Sequence, residues 1–220
     1  MPKAFTEHER GWIAERLVGA GYELFSAYGL HKTSVAELAR AAGISKGAFY
    51  GFYASKEALF MDVIERAEVR FRQEIFAAID LPGPSPRARL YALLKKAFSL
   101  LETLPVLQFL TGRDYDHLFR RMPPAKVRQH LASDRAFLDE FIARCRRAGI
   151  PIRATSAQIA GLLYPLVLTI LHADDFGAYG FTGSIDLLLE LVAAFCLGEV
   201  EIHLQEPARP LAGQAERQPL

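Results

Sequence analysis

Six consecutive residues, Ser45-Lys46-Gly47-Ala48-Phe49-Tyr50, bring together a hydroxyl, an ammonium, an open stretch of backbone and a phenol. Such groups bind phosphate without reacting with it. A serine at a helix start caps a backbone N–H, and the free N–H groups of the first turn sit at the positive end of the helix dipole. Lys46 adds charge, and Gly47 lets the backbone approach a ligand closely. Phe49 and Tyr53, four residues apart, are expected to face inward, so that Tyr50 points outward with a phenol able to donate to phosphate. Lys56, in Ala54-Ser55-Lys56, adds a second cation at the edge of this footprint.

Reactive chemistry is not written into the chain. The six histidines are scattered, and no serine-centred nucleophile elbow or Gly-rich phosphate loop occurs, so neither catalytic residues nor a cofactor are expected. Asp114-Tyr115-Asp116-His117 and His172-Ala173-Asp174-Asp175 are the candidate ligand sets. Each reads as a solvated helix end, because carboxylates and one histidine adjacent in sequence rarely face one ion without further partners; no metal site is expected. Cys145 and Cys196 form no C-x-x-C and are expected to be buried small hydrophobes in a protein of the reducing cytoplasm.

The elements that hold the phosphate-binding groups follow from local spacing. Ser34 and Glu37 stand in S-x-x-E spacing, a capping box that starts a helix. Val35, Leu38, Ala39 and Ala42 then form one apolar stripe. Gly43 suits a left-handed turn that stops the helix, Ile44 plugs the gap, and Ser45 caps the next helix. Two short helices around a glycine turn make a helix-turn-helix. The first turn of the second helix, Lys46, Gly47 and Ala48, is the part that enters the major groove of DNA.

This segment resembles the DNA-binding domain of the TetR family of bacterial transcriptional regulators. Matching residues run from Ala20, Leu24, Phe25 and Gly29 through Thr33, Ser34, Val35, Leu38, Ala39, Ala42, Gly43, Ser45, Gly47, Phe49 and Tyr50 to Lys56, Glu57, Leu59 and Phe60. The resemblance covers roughly the first quarter of the chain. It implies DNA-contacting roles for Thr33, Ser34, Ser45, Lys46, Gly47, Ala48, Tyr50 and Lys56. Ala48, Gly51, Phe52 and Ala54 depart from the family's usual polar residues, which points to backbone contacts and DNA shape rather than many side-chain hydrogen bonds.

Composition neither argues for this reading nor excludes it. The net charge is +1, and residues 1–60 carry seven Lys or Arg against six Asp or Glu, so DNA affinity must rest on a few placed cations. Residues 110–153 carry ten against five, whereas 154–206 carry seven acids and no Lys or Arg. The hydrophobic fraction of 51% is ample for a core. The N-terminus lacks the apolar run of a signal peptide, and the longest apolar run, 159–171, is too short to span a bilayer and contains Pro165. A soluble cytoplasmic protein without membrane contact is expected.

The expected fold is all-α: a three-helix DNA-binding domain with the helix-turn-helix over 1–55, a larger helical regulatory and dimerisation domain over 56–206, and a loose tail over 207–220. A first helix begins at Thr6-Glu7-His8-Glu9 and ends near Gly29; a long one leaves Lys56 and lasts until Pro82. Further helices are expected at about 87–103 and 124–148. Two apolar helices, about 156–173 and 184–205, are expected to pair antiparallel. Their apolar residues, Ile159, Leu162, Leu163, Leu166, Leu187, Leu188, Leu191, Val192 and Phe195, exceed one face against one domain; in the TetR resemblance such helices form the homodimer interface, the alternative being central core. Phe98, Phe109, Phe119, Phe137, Phe141, Tyr164 and His172 are the candidate lining of a pocket for a small-molecule effector, with Tyr164 before Pro165 foremost. The reading is a ligand-responsive regulator, a repressor that binds a palindromic operator in double-stranded DNA as a homodimer. The alternative is a helical dimer that binds a small molecule or protein partner and has lost sequence-specific DNA recognition.

Overall fold

The computed structural model describes residues 5–104, 106, 117–118, 120–171 and 181–200. Helix α1 spans Glu7–Lys32 and opens on a capping box in which Thr6 and Glu9 exchange hydrogen bonds of 2.8 and 3.3 Å. Its helical geometry breaks at Gly29 (φ 73°), where the sequence places its end, yet the run continues to Lys32. The Thr33 hydroxyl donates to the Gly29 carbonyl at 2.8 Å and so supports that last turn.

Helix α2 (Val35–Ala41) begins at the Ser34–Glu37 capping box. It ends as expected at Gly43 (φ 74°), where Ile44 N–H donates to Ala39 O at 2.9 Å and Gly43 N–H to Arg40 O at 3.1 Å. This paired arrangement satisfies carbonyls that the helix end leaves free. Helix α3 is one turn, Lys46–Phe49, capped by Ser45; tight turns then carry the chain to Ser55, which caps the long α4 (Lys56–Ala78).

Helices α1 and α4 pack directly on each other. Gly21 makes that approach possible, because a Cβ there would stand 3.0 Å from a Val63 methyl. Phe25 and Phe60 meet edge to face at 4.8 Å, and Phe49 drops from α3 into the same core, fully buried. Burial of a ring of that size contributes roughly 3 kcal/mol, enough to fix a one-turn helix that could not stand alone. Arg66 on α4 also pairs with Glu15 on α1 at 2.8 Å.

The later helices are α5 (Pro86–Thr103), α6 (Pro124–Arg147), α7 (Ser156–Leu171) and α8 (Phe181–Leu197). A second hydrophobic cluster forms among them around Ile75, Leu90, Leu94, Ile142, Ile150, Ile159 and Val192. Helix α4 joins both clusters: Leu59, Phe60, Val63 and Ile64 serve the first, Ile75 and Ala78 the second. Lys95–Asp186 and Arg87–Glu190 tie α5 to α8.

Helix α8 ends at Leu197, well before the expected residue 205. Gly198 (φ 71°) turns the chain, with Gly198 N–H to Phe195 O and Glu199 N–H to Ala194 O both at 2.9 Å. The Arg153 N–H then takes the Cys196 carbonyl at 2.7 Å. No described helix is long and apolar enough to cross a membrane.

Candidate nucleic-acid interface

The end of α1, the starts of α2 and α4, and α3 surround an open cleft of about 470 Å³. Thr33, Ser34, Lys46, Tyr50 and Lys56 all line it, so five positions chosen on sequence come together on one face. Ser45, Gly47 and Ala48 lie on the same short helix and its cap.

Tyr50 is 53% exposed, its ring set edge-on to the buried Phe49 at 5.6 Å. Phe49 anchors and Tyr50 reaches out, as the spacing predicts. Tyr53 turns inward, donating its hydroxyl to Asp62 at 2.6 Å; burial and that carboxylate hold its phenol well above the usual tyrosine range. The Ser45 hydroxyl accepts the Ala48 N–H at 3.1 Å. Lys46 and Gly47 occupy the first turn, where the helix supplies no carbonyl for their N–H groups. A Cβ on Gly47 would meet nothing closer than the Ser45 hydroxyl at 3.9 Å, which leaves that backbone open.

Ser34 caps α2 as its spacing predicts, while Thr33 and Lys56 turn toward the end of α1. Thr33 is 2% exposed and its hydroxyl points inward to α1 carbonyls, so its side chain is withdrawn from the face. The Ser34 hydroxyl accepts the Glu37 N–H at 3.2 Å while staying exposed. Lys56 donates to the carbonyls of Leu30 (2.6 Å), Thr33 (2.9 Å) and His31 (3.3 Å). Its ammonium has three donors and three carbonyls within reach, so Lys56 clasps the end of α1.

Two of the departures from the family's usual residues carry packing. The Gly51 carbonyl accepts from Arg10 at 2.9 Å, and the same guanidinium lies over the Phe52 ring at 4.8 Å. Arg16 likewise stacks on the exposed Trp12 at 4.6 Å. Both arginines on α1 escaped the sequence reading. The Trp12–Arg16 spacing of four was the signal for one of them; the Arg10–Phe52 contact bridges more than forty residues and had none.

Of the aromatic pocket candidates, Phe98 and Phe141 are buried in the second cluster, and Phe137 packs beside Phe71, Phe76 and Phe141. Tyr164 is 52% exposed on the outer side of α7, which removes it from an interior lining in the single chain. Phe109, Phe119 and His172 lie outside the described residues, as do Asp114-Tyr115-Asp116 and His172-Ala173-Asp174-Asp175. His117 lies 3.4 Å from Glu57 and stacks near His31. Cys145 and Cys196 are buried, and burial pushes their thiols up to about 12 and about 11.

These features define an all-helical protein that opens with a capped helix-turn-helix and continues into a larger helical region. The family described as bacterial regulatory proteins, tetR family, matches residues 17–63, the segment that holds the helix-turn-helix. The HTH-type transcriptional regulator UidR of Escherichia coli (strain K12) is 39% identical over 64 residues, 27% of this chain and 33% of its own. The chain thus matches about a third of the length of its curated relatives. Among solved structures, FadR from Bacillus subtilis in complex with stearoyl-CoA superposes with a TM-score of 0.59 at 17% identity, covering 82% of this chain and 97% of that one. A TetR family transcription regulator from Marinobacter aquaeolei VT8 gives 0.51 at 14% identity, covering 86% and 97%.

Proposed function

We propose that this chain is a DNA-binding transcriptional regulator, a repressor that holds a palindromic operator as a homodimer and responds to a small-molecule effector. The observation that carries the reading is the pairing of Lys46 with the outward Tyr50 on a cleft bordered by helix starts. Lys46, Tyr50 and the open backbone of Gly47 meet phosphate and base edges of the major groove, while Ser34 and Ser45 hold the helix ends at the groove rim. Thr33 and Lys56 act from behind by fixing the end of α1.

Dimerisation is supported by α8, where Leu187, Leu188 and Leu191 are 62, 36 and 50% exposed at helical spacing; Tyr164 of α7 is exposed as well. Apolar side chains grouped in this way mark association surfaces. A small molecule bound among the later helices shifts α4, which contributes to both cores, and so changes the separation of the two recognition helices.

The test is selection and sequencing of DNA fragments bound by the purified protein, followed by gel-shift titration at several salt concentrations. A palindrome with salt-sensitive binding is expected, weakened in Lys46→Ala and Tyr50→Ala. Binding indifferent to both substitutions would overturn the contact assignments, and absence of any selected sequence would overturn the regulator reading.

A further inference from the structure

We propose that Glu68, His130 and Asp134 form a binding site for a divalent first-row transition-metal ion of the zinc class, tying α4 to α6. One donor atom from each of the three lies within 4.8 Å of the others. His130 Nε2 stands 3.6 Å from Glu68 Oε1 and 3.6 Å from Asp134 Oδ2. That is too long for a hydrogen bond. It suits two ligands of a common ion, because donors about 2.0–2.1 Å from zinc in a tetrahedral site lie about 3.3–3.5 Å apart.

The remaining carboxylate oxygens are already committed, which orients the pair. Arg72 Nη2 donates to Asp134 Oδ1 at 2.7 Å and to Glu68 Oε2 at 3.3 Å, while Nη1 donates to Ser133 Oγ at 2.6 Å. The guanidinium also lies over the Phe137 ring at 5.4 Å. Each carboxylate therefore gives one oxygen to Arg72 and turns the other toward the imidazole, the kind of outer support that metal-ligating carboxylates receive.

Burial and charge agree with the geometry. His130 is 5% exposed, whereas the Asp134 side chain is 45% exposed and leaves an entry path. Glu68 and Asp134 bring two carboxylates to the imidazole against the single guanidinium of Arg72. Imidazole with two carboxylates and no thiolate is a donor set for zinc-class ions, and three protein ligands leave a fourth position for water. His130 and Asp134 stand four apart on α6, but Glu68 lies 62 positions before His130, so local spacing announces only part of the site.

The proposal stands apart from the DNA-binding reading, and its test needs no DNA. The full chain, stripped with a chelator, is titrated with Zn²⁺ by calorimetry and with Co²⁺ by visible absorption, with Mg²⁺ as the control. One Zn²⁺ per chain, a cobalt ligand-field band and a raised melting temperature are expected, with no response to Mg²⁺. Glu68→Gln and His130→Gln should each weaken binding by more than about 10-fold, while melting measured in chelator and circular dichroism report whether each variant folds. If one does not fold, Asp134→Asn takes its place. Absence of zinc binding, or binding unchanged in folded variants, would overturn the site.

Discussion

The N-terminal helices and the α7–α8 pair leave opposite kinds of capacity unused. Around α3 the apolar groups are consumed: Phe25, Phe49 and Phe60 are fully buried, and what faces outward is polar, namely Lys46, Tyr50 and the first-turn backbone. On α8 the polar groups are consumed, with Asp186 and Glu190 paired to Lys95 and Arg87, and what faces outward is apolar, namely Leu187, Leu188 and Leu191. Unengaged polar groups serve a charged, hydrated partner, and unengaged apolar groups serve a like surface. Under the proposed function the contrast gives DNA to one end of the chain and a second copy to the other, and that reading can be broken at either end.

The largest effect should follow Leu187→Glu combined with Leu191→Glu. Both side chains are half exposed or more in the single chain, so its own fold should change by only about 0.5 kcal/mol per site. Sedimentation should report half the mass of the parent. Operator affinity should fall by about 100-fold or more as the second half-site is lost. A variant that keeps the parent's mass would remove α8 from the interface.

Lys56→Met separates a clasp from a contact. Three carbonyls lose a charged donor, and urea melts should show a loss of about 1.5–3 kcal/mol. Lys46→Met, on the same cleft, should change stability by no more than about 0.5 kcal/mol. Equal stability of the two variants would return Lys56 to the DNA.

The difference between those lysines also marks what the sequence could disclose. Caps are local: Thr6–Glu9, Ser34–Glu37, Ser45 and Gly43 lie within a few residues of the bonds they make, and each stands where its spacing places it. The inward Phe49 and outward Tyr50 follow from helical period alone. The clasp of Lys56 could not be read in advance because its acceptors lie 23 to 26 residues upstream, at a helix end whose position in space only packing sets. The inward turn of Thr33 has a local cause, its hydroxyl answering a break at Gly29 that sequence marks as a terminus. The stop at Gly198 was legible in principle, since a lone glycine after Leu197 is a helix-end signal, but the apolar residues around it carried the helix reading past it. Of the Glu68–His130–Asp134 group only the His130–Asp134 spacing of four was legible, because Glu68 joins it only where α4 packs on α6.

The smallest expected effect is also the most discriminating. Tyr50→Phe removes one hydroxyl and keeps the ring that packs edge-on against Phe49, so thermal stability should not move. If the phenol donates to a phosphate, DNA affinity should fall by about 1 kcal/mol, roughly fivefold. The loss should be equal for operator and unrelated duplexes, because a phosphate contact positions the protein without reading bases. The salt dependence should stay as in the parent, since a neutral hydroxyl displaces no counterion, whereas Lys46→Ala should lower the slope by about 1. Gel-shift titrations of both variants at four salt concentrations separate the cases. A loss in Tyr50→Phe confined to the operator would mean that the hydroxyl reaches a base edge, making Tyr50 a reader of sequence rather than an anchor on the backbone.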